Sequence, residues 1–166
     1  MTYVEQRAGL LAECLEEINS LLIELTAVFR VKRQVLARAD MEALVELLAR
    51  EESVTGRLFD AETRREALVE EMSAATGGKA AKLASLIDIL PRDAAEVLVG
   101  AGSQLRTTMD VLVREAGIVA EICRAATDHY DKLIRIITGA GLEPATYTPT
   151  GPAAPAARRN IIDQAI

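Results

Sequence analysis

The only histidine of the chain, His129, is followed three residues on by Lys132 in the run His129-Tyr130-Asp131-Lys132. An imidazole on a helix surface can accept a phosphoryl group, and a lysine at i+3 shares its face and balances the incoming charge. Other chemistry is hard to assemble. One histidine leaves no Glu-x-x-His pairs of the kind that hold two irons inside a four-helix bundle. Thr76-Gly77-Gly78-Lys79 has glycines and a lysine, but neither the preceding strand nor the spacing of a phosphate-binding loop. Cys14 and Cys123 lie far apart on helical faces and read as buried free thiols rather than a disulfide. No catalytic, cofactor-binding or metal-ligating residue is therefore expected, with His129 as the single alternative.

Composition points away from nucleic acid and from membrane insertion. The net charge of −6 opposes binding to a phosphate backbone. No window approaches the ~18–20 consecutive apolar residues that a membrane-spanning helix needs, and Leu21-Leu22-Ile23 is cut by Glu24. The N-terminus lacks a basic stretch followed by an apolar run, so a cytoplasmic protein is expected. Half the residues are apolar, yet aromatics amount to three Tyr and two Phe. Aliphatic-rich, aromatic-poor composition favours helix-on-helix packing, where Leu, Ile and Ala interdigitate along ridges.

The elements that must position any site are helical. The first seam runs through Val4, Ala8, Leu11, Leu15, Ile18, Leu22, Leu25, Phe29, Lys32 and Leu36, with Lys32 the one polar member. Asp40 is placed to cap a second helix from Met41 to about Ser73, whose seam is interrupted by Glu51 and Arg65. On it, Glu46 with Arg50 and Asp60 with Arg64 have the i,i+4 spacing of local ion pairs. After Thr76-Gly77-Gly78 comes a short apolar helix, Lys79 to Leu90, stopped by Pro91. Asp93, with Glu96 three residues on, is placed to cap a third long helix. Its seam is Leu105, Met109, Leu112, Ala116, Val119, Cys123, Ala126, Tyr130, Leu133 and Ile137, alternating steps of four and three. That regularity makes it the expected central strut. Gly100, Gly102 and Gly117 interrupt the helix, and close packing or local flexibility would compensate each.

The fold expected is all-α: an elongated antiparallel bundle of three long helices, with a short helix between the second and third and a flexible C-terminal tail. The bundle would occupy residues 1–141 and the tail 142–166. Four of the five prolines fall in that tail, at Pro144, Pro149, Pro152 and Pro155, and its low complexity cannot build a core. Ile161, Ile162, Ala165 and Ile166 would share one face of a short amphipathic end, too short to be stable without a partner.

Two resemblances attach to these motifs. His129 with Lys132 resembles the core of histidine-phosphotransfer domains, although Leu133 stands where those domains have glycine. Ala39-Asp40-Met41-Glu42-Ala43-Leu44 at the entry to the second helix is similar to an entry common in the FlgN family of flagellar export chaperones. Tyr147-Thr148-Pro149-Thr150-Gly151 resembles that family's Tyr-x-Pro-x-Gly element after the last long helix, and the order and length of elements agree over residues 1–151. Membership would imply a cytosolic chaperone that binds hook–filament junction proteins through their C-terminal helical segments. It would keep them unassembled and deliver them to the membrane export gate, without catalysis and without a cofactor. A groove or face would accept the partner's helix, and the candidate contacts are Met109, Val119, Ile122, Tyr130, Leu133, Ile137, Tyr147, Ile161, Ile162 and Ile166. A phosphotransfer bundle using His129 and a self-associating coiled-coil scaffold are the alternatives.

Overall fold

The structure, a computed structural model, describes residues 3–77, 85, 87, 88 and 90–139. Three long helices account for nearly all of them, with no strand among the described residues: α1 (Tyr3–Arg38), α2 (Met41–Ala75) and α3 (Arg92–Thr138). The chain divides into two units, Met1–Val119 and Ala120–Ile166. Most of the short helix at Lys79–Leu90 and the whole tail from 142 lie outside the described residues. Ile87 and Leu90, from the end of that stretch, pack against the core.

The turn between α1 and α2 forms without Gly or Pro. Ala39 takes a left-handed conformation (φ 53°). Its N–H donates to the Leu36 carbonyl at 3.1 Å and the Asp40 N–H to the Val35 carbonyl at 3.2 Å, the pair of bonds of a Schellman stop. Asp40 then caps α2, its Oδ1 accepting from the Ala43 N–H at 3.1 Å, as expected from the sequence. An alanine at positive φ carries strain that glycine would not. Ala39→Gly should therefore raise stability by about 1 kcal/mol, read as a higher midpoint of thermal unfolding.

The first unit is built around α1. Twelve of its residues are buried, against four in α2 and three in α3, so the central strut is α1 and not the third seam. One stripe of α1 (Cys14, Ile18, Leu21, Leu25) packs with Val54 and Ala61 of α2. Another (Ala8, Leu11, Ala12, Leu15) packs with Met72 of α2 and Leu98 of α3. Two neighbours require a wide apolar arc on the helix between them, which Leu10, Leu21, Val28 and Val35 beside the main seam already signal.

The charged residues fix the pairing. Arg7 meets Glu71 at 3.2 Å, Glu17 meets Arg64 at 2.8 Å, Glu24 meets Arg57 at 3.1 Å, and Lys32 meets Glu51 at 2.5 Å. Numbers rise along α1 as they fall along α2, so this pair of helices is antiparallel. Lys32, the polar exception of the first seam, and Glu51, one of the two in the second, are each other's partner. Arg50 and Arg64 reach across to Glu24, at 3.5 Å, and Glu17, at 2.8 Å, on α1 rather than forming the expected local pairs. Glu115 of α3 receives both Arg30, at 3.1 Å, and Arg33, at 3.4 Å.

Two further expectations need correcting. Asp93 does not cap α3; Arg92 already begins the helix, and the Pro91 carbonyl accepts the first helical bond, from the Ala95 N–H at 3.0 Å. Gly100, Gly102 and Gly117 are not explained by close packing either, since a Cβ at each would meet nothing within 4 Å.

Candidate functional site

Among the described residues, no group of histidine, cysteine, aspartate and glutamate could hold a metal ion. His129 and Lys132 are both exposed, and the histidine ring meets Tyr130 edge-on with centroids 6.4 Å apart. No carboxylate is paired with His129 among the described residues.

The thiols fall into two environments. Cys14 is buried against α2, its Sγ–H donating to the Ala61 carbonyl at 3.3 Å. Burial pushes this thiol up from its ordinary range, because the thiolate would lose solvation that the neighbouring Arg64 only partly replaces. Cys123 is exposed, which corrects the expectation of two buried thiols; its heptad position faces no second helix among the described residues. One fast-reacting thiol is expected with a disulfide reagent in native buffer, and a second only after denaturation.

Beside Cys14, the Arg64 guanidinium donates to Glu17 and holds its carboxyl below the usual carboxylate range. With its pKa lower in the folded chain than unfolded, Glu17 contributes stability that is fully present above about 4.5, its ordinary value, and is lost as pH falls through the lowered value. The pair is about half exposed, so solvent screening keeps its contribution small. Glu17→Gln should lower stability slightly at neutral pH and converge with the parent chain in strong acid, as measured by urea unfolding at both pH values.

The second unit, taken by itself, holds the more informative surface. Residues 120–138 of α3 are exposed throughout except for Ile122, which is half-buried. Turning the sequence onto a helix gathers Ile122, Cys123, Ala126, Tyr130, Leu133, Ile134 and Ile137 on one side. Glu121, Arg124, Asp128, Asp131, Lys132 and Arg135 gather on the other. Tyr130 is 63% exposed, Ile134 56% and Ile136, at the edge of the apolar side, 63%. A helix with one apolar side ordinarily buries that side. Here it faces outward over more than four turns.

The candidates from the sequence are distributed accordingly. Tyr130, Leu133 and Ile137 are on this open face, with Ile122 at its border. Val119, the last residue of the first unit, is 5% exposed and does not belong to the open face. Met109 is exposed and lines a separate groove in the first unit, of about 640 Å³, between Leu15, Ile87, Leu98, Leu105 and Asp110. Tyr147, Ile161, Ile162 and Ile166 lie outside the described residues. Ile134 and Ile136 were missed because neither falls on the strict seam; counting apolar residues over the whole helical arc would have found both.

No helix among the described residues is long and apolar enough to cross a membrane. Neither the curated proteins nor the solved structures yielded a match to this chain. The model of one family, described as FlgN protein, matches residues 8–155, taking in all but the start of α1, the whole of α2 and α3, and the Tyr147–Gly151 element. With helices in the expected order and the family pattern spanning almost the whole chain, this protein belongs to the FlgN family of flagellar export chaperones.

Proposed function

We propose that the chain is a cytoplasmic chaperone for hook–filament junction proteins, and that it receives their C-terminal helical segment on the open apolar face of α3 between Ile122 and Ile137. The observation that carries this reading is the exposure of that face: Tyr130, Leu133, Ile134 and Ile137 stand side by side on a helix with no partner there among the described residues. An amphipathic segment laid against it would bury both apolar sides, the helix-in-groove mode of recognition. The same coverage would keep the junction protein unassembled, because a terminal helix held here cannot pack into a growing structure. Tyr147, Ile161, Ile162 and Ile166 would add contacts to the cargo or to the membrane export gate as the complex is delivered. The work is binding and release, with no chemical step and no cofactor.

The test is direct. Full-length chain should co-purify with a junction protein's C-terminal segment and not with that protein's central region. Deleting residues 142–166 should weaken transfer to the gate or cargo retention. Equal capture of both regions would defeat the reading of a terminal-helix chaperone. A stable homo-oligomer without affinity for the segment would favour the scaffold alternative instead.

A further inference from the structure

A second apolar surface lies in the first unit, on α2. The buried residues of that helix, Leu47, Val54, Ala61 and Met72, face the core. Met41, Val45, Leu48 and Phe59 follow one another at steps of four, three and eleven, which returns them to a single stripe on the opposite side. Met41 is 65%, Val45 66% and Phe59 73% exposed. Gly56, one turn before Phe59, leaves the backbone open, since a Cβ there would meet nothing within 4 Å. A mid-helix glycine costs about 1 kcal/mol relative to alanine, and packing among the described residues supplies no offset.

Charge decides what could cover the stripe. All four bases of α2 are engaged in ion pairs: Arg50 and Arg57 with Glu24, Arg64 with Glu17, and Arg65 with Glu62 and Glu66. Glu42, Glu46 and Glu52 are exposed, and none makes an ion pair among the described residues. The outward side of α2 is thus an apolar stripe that carries the unneutralised Glu52 and is flanked on one side by Glu42 and Glu46. A second copy of this chain, with net charge −6, would bring the same carboxylates against one another. We propose that the outer stripe of α2, Met41, Val45, Leu48 and Phe59 with Glu42, Glu46 and Glu52, docks an amphipathic helix of a different protein whose flanks are lysine- and arginine-rich. This is a site separate from the open face of α3, where acids and bases are evenly mixed.

A synthetic amphipathic helix of leucine and lysine serves as the probe, titrated against full-length chain by fluorescence anisotropy. Val45→Ser with Phe59→Ser, and separately Glu42→Lys with Glu46→Lys, should each weaken binding by about tenfold or more. Tyr130→Ser with Ile134→Ser should leave it unchanged, and a leucine–glutamate peptide should not bind. All these positions are exposed, so circular dichroism and thermal unfolding should remain those of the parent chain. Binding that survives the α2 substitutions, or is lost with the α3 pair, overturns the proposal. So does a concentration-dependent dimer in sedimentation that Phe59→Ser dissolves, since it would assign the stripe to a second copy.

Discussion

Tyr130→Ser together with Ile134→Ser is expected to weaken binding of the junction protein's terminal segment by about a hundredfold or more, while the unfolding midpoint stays within the error of the parent chain. The first half follows from what the two side chains are. Large aromatic and aliphatic groups at the centre of a helix-in-groove contact act as anchors, and losing one costs ~2 kcal/mol or more, with each 1.4 kcal/mol a factor of ten in affinity. The second half follows from exposure. Neither residue is buried in the free chain, and surface substitutions of this kind stay within about 0.5 kcal/mol. Isothermal titration and thermal denaturation on the same samples check both. Val119→Ser gives the contrast: Val119 is buried, so its first effect should be on stability.

Leu11→Ala should destabilise the fold by about 3 kcal/mol, the middle of the range for a buried leucine that leaves a cavity. Leu11 is fully buried, and its cluster draws on all three helices through Leu15, Met72 and Leu98. A void there cannot be closed by moving one helix without opening another seam. Leu48→Ala, on the exposed side of α2, should cost well under 1 kcal/mol. Urea unfolding of the two variants measures the difference. Similar costs at both sites would mean that α1 is not the strut of the first unit.

Much of this arrangement was legible in residue spacing. Heptad steps locate α1 and α2 to within a few residues, and Asp40 marks the turn because its carboxylate is what an exposed helix start lacks. The polar breaks at Lys32 and Glu51 were visible as exceptions, but that they are partners required knowing which way α2 runs. Periodicity misled on α3. Its seam is the most regular of the three, yet regularity records only that one side is apolar, not whether that side is covered. Leu112 and Val119 are buried while Tyr130 and Ile137, on the same seam, are open. Width was the better signal: α1 carries apolar residues on a broad arc and has two neighbours. Ile134 and Ile136 were passed over for the same reason that α3 was overrated, since a two-position seam undercounts an apolar side several residues wide. The environments of Cys14 and Cys123 follow from the same distinction between a seam that is filled and one that is not.

Amide hydrogen exchange of the full-length chain, with and without the junction protein's C-terminal segment, tests the docking face most directly. Free, residues 120–138 should exchange faster than α1, because exposed helix opens locally at little free-energy cost while α1 opens only with the core. With the segment bound, slowing concentrated between Ile122 and Ile137 is the expected result. Slowing confined to the groove around Met109 in the first unit, with 120–138 unchanged, would contradict it.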